Sequence, residues 1–404
     1  MIRQRVIALL GRRDAPTDAV EEYCRYLGEA LMAEGFKLII ERAAWPERGW
    51  NRAGRRLRRH AKRWRGAWVL VQYTALAWSM RGFPLRFPRL LRILKAAGVH
   101  LGVVFHDVEP YGGTRVIDRL RRRVQLCTMR KALRICDAAV FTVPIEKISW
   151  IKNQRGKGCF IPVGANLPTA SKANSRKGIL TRDKLSVAVF GITGGESGRK
   201  EIEQIVEAVR FAAAHARNLR LIVLGRNALS AEVELRERFQ DCPIELHVLG
   251  VLPGEDVVRS LSISDVLLFV RGHISTRRGS AIAGIACGLP VIACAGSETA
   301  APITEAGLAL FSPQRKGDLG DVLVRVLKDE HYRAELAQRS WVAQRQYFSW
   351  PARITGTRPR SGSLSFFPPT VSVRRARRSN LPLLPRRVKR TLHWEASDYR
   401  SNFP

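Results

Sequence analysis

The chain has 404 residues, close to half of them apolar, and carries 69 Lys and Arg against 35 Asp and Glu, a formal charge of +34. That length admits two domains of roughly 150 residues and a tail. It is too apolar for a wholly disordered polymer, and its longest uncharged run, Gly279 to Ser297, is broken by Gly288-Leu289-Pro290 and does not read as a membrane span. The charge excess favours polyanionic partners: nucleic acid, anionic lipid or phosphorylated substrates.

In chain order, "RVIALLG" (5–11) reads as a strand, since the apolar run in the opening "MIRQRVIALLGRR" is too short for a signal peptide. Val20 to Glu34 follows as a helix with Tyr23, Leu27, Ala30 and Leu31 on one face and Gly35 as its stop. "KLII" (37–40) is a strand. Residues 48–65, "RGWNRAGRRLRRHAKRWR", are dense in Arg and Lys without a single acid. Trp50, Leu57 and Trp64 recur there at heptad spacing, so a helix would carry them on one face with arginines around them. That pattern suits the surface of an anionic membrane. "AWVLVQY" (67–73) and "HLGVVFHD" (100–107) are buried strands on either side of the helix "RFPRLLRILKAAG". Residues 115–134 form a second basic cluster and a second candidate membrane contact, and "DAAVFTV" (137–143) and "CFIPVGAN" (159–166) are further strands.

"PTASKANSRKGILTRDK" (168–184) is polar and irregular, and reads as a linker. The alternation then restarts. "LSVAVFG" is a strand, Lys200 to Ala214 a helix, and "RLIVLG" and "ELHVLG" are strands. Glu255 to Ser262 is a helix, "DVLLFV" (265–270) a buried strand, "LALFS" (308–312) another, and residues 317–346 are largely helical. Strands alternating with helices predict parallel sheets covered on both faces. The α/β reading is therefore two Rossmann-like doubly wound domains, 1–167 and 185–350, facing across a cleft. A basic Arg/Pro/Ser-rich tail, 351–404, holds twelve Lys and Arg against two acids and is expected not to fold with the core. The seven cysteines show no Cys-x-x-Cys pair or metal-ligand spacing, which suits buried free thiols in a reducing cytoplasm.

The most informative stretch is "STRRGSAIAGIACGLPVIA" (275–293): a loop, a helix over Ala281 to Cys287, a Gly288 stop and a strand from Val291. Arg277 and Arg278 precede a helix start that is itself partly positive. The N–H groups of Gly279, Ser280 and Ala281 point the same way, so an anion such as a diphosphate would relieve the repulsion. His106 and Asp107 end an apolar strand, the position from which side chains reach a ligand at a sheet edge. Asp18 and Glu22 lie at the first loop and either touch a ligand or cap the helix.

The order and spacing of "VLGVLPGEDVVRSLSISDVLLFV" (248–270) and "GIACGLPVIA" (284–293) resemble the nucleotide-sugar domain of family-four retaining glycosyltransferases with the GT-B fold. "DAVEEYCRYLGEALMAEGFKL", "VVFHDVEP", "CDAAVFTVP" and "FIPVGAN" are similar to landmarks of the first half, so the resemblance spans about residues 1–350. It implies a glycosyltransferase taking a nucleoside-diphosphate sugar in the interdomain cleft and passing the sugar, with retention, to a hydroxyl of a glycan or lipid-linked acceptor in surface-polysaccharide synthesis. It implies no metal and no cofactor beyond the donor. His106 and Asp107 would face the sugar; Arg199, Lys200, Gly250, Leu252, Arg277, Arg278 and the start of the following helix would hold the donor. The sequence departs from the family in lacking the Glu-x7-Glu pair, whose positions hold Ser275 and Ala283. The loop before the first helix, "DAPTDAVEEY", also departs from the family's Gly-Gly pattern. A non-catalytic GT-B-like scaffold is the competing reading. A nucleic-acid binder has only the charge in its favour, with no recognised motif or aromatic platform.

Overall fold

The computed structural model describes residues 4–151, 155–168, 184–216, 218–315 and 317–355. The first half builds β1 (Gln4–Leu10), α1 (Ala19–Ala33), β2 (Phe36–Arg42), α2 (Trp45–Lys62), β3 (Trp68–Tyr73), α3 (Phe87–Ala96), β4 (His100–Phe105), α4 (Val116–Ile135), β5 (Ala138–Phe141) and β6 (Gly158–Phe160). All neighbouring strands pair in parallel, in the order β2-β1-β3-β4-β5-β6. The second half builds β7 (Leu185–Phe190), α5 (Gly195–His215), β8 (Leu219–Leu224), α6 (Glu232–Phe239), β9 (Ile244–Gly250), α7 (Gly254–Ser262), β10 (Val266–His273), α8 (Gly279–Ala286), β11 (Val291–Cys294), β12 (Leu308–Phe311), α9 (Asp318–Lys328), α10 (Glu330–Ala343) and α11 (Trp350–Thr355). Its parallel sheet runs β12-β11-β10-β7-β8-β9.

The central strands read as continuous apolar runs because helices cover both faces of a parallel sheet: Val6 to Leu10, Val69 to Val71 and Val266 to Val270 are all buried. Each sheet reverses direction once, the first between β1 and β3 and the second between β7 and β10. At such switch points the loops diverge and leave a crevice at the carboxyl ends of the strands. In the first sheet the two loops touch, the N–H of Arg12 donating to the carbonyl of Ala77 at 2.8 Å. The domains are joined at the base of the crevice. The N–H of Val163 donates to the carbonyl of Thr276 at 2.9 Å, and Thr276 Oγ1 donates to the carbonyl of Thr142 at 2.6 Å. One apolar cluster runs from Ala8, Leu10 and Tyr23 to Ala188, Phe269 and Ile274, so the core is continuous between the halves.

The structure corrects three expectations. The apolar stripe of 48–65 faces its own sheet: Leu57 is buried, and Trp50 and Trp64 pack on the first core, with Trp50 stacked on Trp45 at 5.0 Å. A helix with one apolar face and one basic face fits a lipid surface and a protein core equally well, and here the core takes it. The chain also remains folded past Trp350. α11 crosses to the first domain, where Trp350 Nε1 donates to the carbonyl of Ala165 at 2.9 Å and its ring stacks on Tyr26. The rest of the expected tail, 356–404, and the body of the expected linker, 169–183, lie outside the described residues. All seven cysteines are free, but Cys127 is exposed and not buried.

Candidate functional site

At the β7–β10 switch point, β7 is followed by Gly191, whose φ of +82° turns the chain sharply toward α5. The start of α5 has no side-chain cap at Gly194. Glu201 folds back to accept the N–H of Thr193 at 2.7 Å, which fixes this loop. Facing it is Arg271, at the end of β10. A Cβ on Gly191 would lie 3.0 Å from Arg271 Nη1, so glycine is what lets the guanidinium approach the loop. Arg271 Nε is buried without a hydrogen-bond partner.

Arg278 stands beside it. It is the N-cap of α8, makes no side-chain cap, and donates from Nε to the carbonyl of His273 at 3.1 Å. Burial, with Arg277 and Arg271 nearby, lowers its pKa to about 10. Burial likewise lowers that of Arg271, with Arg226 adding to the effect. Two half-buried guanidinium groups, each held below its ordinary pKa by burial and by neighbouring arginines, mark a place suited to an anion. The N–H groups of Gly279, Ser280 and Ala281 open the uncapped start of α8 at the same spot.

Arg277 differs from expectation. Its Nε and Nη2 grip Glu298 at 2.7 and 3.0 Å, a bidentate pair that consumes its fork. Arg199 and Lys200 sit on the exposed side of α5, and Lys200 pairs with Glu196 at 3.0 Å, so neither joins the cluster. The cations missing from the sequence reading are Arg271 and Arg226. Arg226, just past β8, crosses to the first domain, pairing with Asp14 at 2.8 Å and donating to the hydroxyl of Thr17 at 3.2 Å. Gly250 and Leu252 lie at the end of β9 on the same sheet edge, Gly250 buried and Leu252 packed on the interdomain cluster. Ser275 and Ala283 are both buried, so no carboxylate enters the cleft from either position.

Across the crevice, His106 Nε2 lies 2.9 Å from Gln72 Oε1. The Gln72 amide donates to the carbonyl of Leu70 at 3.3 Å, which orients its oxygen toward the imidazole. The proton therefore sits on Nε2, and Nδ1 is left as an acceptor. Tyr23 packs edge-on against the ring at 5.0 Å, and Arg353 lies over Tyr23 and Trp350. Burial, then the charge of Arg353, lowers the pKa of His106 to about 4. His106 is thus a neutral hydrogen-bonding group across the physiological range.

The shift has a stability consequence. The unfolded histidine takes a proton below its ordinary 6.5, and the folded one refuses it down to about 4. Folding stability therefore falls as pH drops through that window, by at most on the order of 3 kcal/mol from this group. Urea unfolding across pH 7 to 4 is expected to show a shallower loss in His106→Gln than in wild type. Equal slopes would mean that the imidazole accepts its proton in the fold.

Asp107 braces the loops beside the crevice. Its Oδ2 accepts from the N–H of Ala75 at 2.9 Å and from Tyr111 Oη at 2.8 Å, tying the loops after β3 and β4 together. Asp18 is the N-cap of α1, accepting from Val20 and Glu21, and pairs with Arg42 at 2.7 Å. Glu22 is half-buried, near enough to Arg226 to feel its charge, and burial raises its pKa.

No protein-family model matches the chain, and no curated protein matches it in sequence. Solved structures do. Anabaena HepE in complex with UDP and glucose superposes with a TM-score of 0.58 at 14% identity, covering 86% of this chain and 96% of that one. Sucrose-phosphate synthase from Thermosynechococcus elongatus gives 0.61 at 19%, covering 87% and 96%. WaaG, a glycosyltransferase involved in lipopolysaccharide biosynthesis, gives 0.60 at 16%, covering 86% and 97%. At such identities the likeness is one of fold, and the fold is the two-domain GT-B arrangement.

Proposed function

We propose that the protein is a glycosyltransferase that moves a sugar, with retention, from a nucleoside-diphosphate sugar to a hydroxyl acceptor in surface-glycan synthesis. The observation that carries this reading is the convergence of Arg271 and Arg278 with the uncapped start of α8 at the switch point of the second sheet. HepE, solved with UDP and glucose, shares the fold. The diphosphate lies against the two arginines and the N–H groups of Gly279 to Ala281. The sugar then points across the crevice to His106, whose Nδ1 accepts a sugar hydroxyl. In the reaction the anomeric C–O bond breaks and its electron pair leaves on the β-phosphate oxygen. The acceptor oxygen bonds to the same face, and its proton passes to that phosphate oxygen. Preorganised cations stabilise the charge as it develops there.

The acceptor is a glycan or a lipid-linked sugar, met by an enzyme that sits peripherally on an anionic membrane. With Ser275 and Ala283 buried in place of the family's carboxylates, the donor's ribose and sugar lose two charged contacts. This favours, as a second reading, a module that binds the nucleotide without transfer. Incubating the protein with UDP- and GDP-sugars and following UDP or GDP release separates the two. Release that continues in excess EDTA and leaves a product of retained anomeric configuration is expected. Nucleotide binding without release or transfer from any donor would select the second reading.

A further inference from the structure

We propose that one edge of the first domain docks on an anionic phospholipid bilayer, a lipid phosphate entering a cavity between α2 and α3 while apolar side chains beside it reach the acyl boundary. This deepens the membrane reading above and is independent of the transfer chemistry.

The cavity has a volume of about 130 Å³, room for several waters or a phosphate group. Leu57, Leu90 and Ile93 form its apolar wall, and Arg55, Arg58, Arg86 and Arg89 line it with no acidic residue among them. All four arginines are exposed, and none has an ion pair among the described residues. Arg86 is also the N-cap of α3 and makes no side-chain cap, so the positive end of that helix opens beside it. Four guanidinium groups around one hollow repel each other until an anion arrives.

The apolar part lies along the adjoining loop. Met80, Leu85, Val116, Ile117 and Leu120 are between 46% and 74% exposed, on the 79–86 segment and the first two turns of α4. The segment is fixed to that helix. Gln125 Nε2 donates to the carbonyl of Gly82 at 2.9 Å, and Arg121 Nε to that of Arg81 at 3.1 Å. Asp118, the acid on these turns, is held by Arg121 at 2.6 Å, while Arg115, Arg119, Arg122 and Arg123 remain exposed around it. A fixed apolar tip ringed by arginines matches the acyl boundary and the headgroups of an anionic bilayer. The loops after β3 and β4 leave the strand ends that also carry His106, so docking here sets the bilayer at the mouth of the crevice. α2 offers the acyl boundary no exposed apolar tip, because Trp50, Leu57 and Trp64 pack on the core; it supplies the arginines and, through Leu57, part of the cavity wall.

The test is co-sedimentation of the full chain with phosphatidylcholine vesicles, with and without phosphatidylglycerol. Two variants of equal charge loss are compared: Arg55→Ala/Arg58→Ala/Arg86→Ala/Arg89→Ala in the cavity, and Arg52→Ala/Arg56→Ala/Arg59→Ala/Arg63→Ala on the outward side of α2. A third, Leu85→Ser/Ile117→Ser/Leu120→Ser, removes the tip. Wild type is expected to bind only the anionic vesicles. The cavity variant should lose about tenfold or more in partitioning and the outward control clearly less. The tip variant should lose binding in high salt, where charge is screened. Equal loss in the two arginine variants would overturn the cavity while leaving the membrane reading in place. No binding of wild type to anionic vesicles would overturn both. Glycerol phosphate that competes at vesicle phosphate concentrations would assign the cavity to a soluble phosphomonoester and overturn the bilayer. Transfer to a soluble acceptor is scored separately, so none of these outcomes decides the chemistry.

Discussion

Replacing Arg271 and Arg278 together by alanine is expected to weaken UDP binding by about a hundred- to a thousandfold, and Arg278→Ala alone by about tenfold or more. Among the described residues neither guanidinium forms a salt bridge, and burial outweighs the charges of Glu201 and Glu298 and lowers the pKa of both, so the free protein holds them at a cost that a diphosphate would relieve. A charge-assisted contact to phosphate contributes about 1.5–3 kcal/mol, and 1.4 kcal/mol is one decade in affinity. Lysine at 278 should restore only part of the affinity, because a point charge cannot make the paired contact of a planar fork. Arg277→Ala supplies the contrast. Arg277 already grips Glu298, so its loss should lower the melting temperature more than the affinity, by stranding a carboxylate that is only 14% exposed. Calorimetry with UDP and with uridine separates the effects, since uridine should bind all variants alike. UDP affinity unchanged in the double variant would remove the phosphate site from the switch point and bring the non-catalytic scaffold forward.

These residues show what a sequence can and cannot disclose. The strand–loop–helix–strand order of 265–293 is legible because each piece has its own local signal: an apolar run, a Gly-Ser helix start at 279–280, Gly288 and Pro290. The same locality exposes Arg277 and Arg278 as a pair but hides that Glu298, twenty-one residues on, neutralises the first of them. Arg226 and Arg271 carry no motif. They come near one another because the sheet order sets β10 beside β7 and β7 beside β8, a tertiary fact with no counterpart in spacing. A hint was available in Arg271, which directly follows a buried run at the end of a strand. Asp18 is ambiguous for the opposite reason, since one local pattern serves a helix cap and a ligand contact, and the cap prevails. The heptad of Trp50, Leu57 and Trp64 has the same defect. Periodicity reports that a face is apolar and is silent on what covers it. Arg353 shows the limit most clearly. It stands amid composition that reads as disordered, yet it is buried against Tyr23 and Trp350 and helps keep His106 neutral.

That neutrality underlies the remaining expectation: His106→Ala should lower turnover about a hundredfold while changing UDP affinity less than about threefold. On the proposed reading the imidazole, across the crevice from the arginines, meets the sugar and not the diphosphate. Its orientation is set twice, by Gln72 on Nε2 and by Tyr23 against the ring face. Nδ1 is then a fixed acceptor for a sugar hydroxyl, and a contact that tightens as the glycosidic bond lengthens lowers the barrier without tightening the ground state. Asn at 106 should recover part of the rate by offering an amide oxygen where Nδ1 was. Gln72→Leu should damage the rate without removing any group that touches the sugar, because the ring loses the partner that fixes its proton on Nε2. With the pKa of His106 near 4, the wild-type rate should show no histidine titration between pH 6 and 8. A turnover number in His106→Ala equal to that of wild type would place the sugar elsewhere. A rate that rises with a midpoint near 6.5 and loses that midpoint in the variant would instead make His106 a titrating base. It would then follow that the crevice admits water to the imidazole during turnover, and that the packing of Tyr23 and Arg353 opens when donor binds.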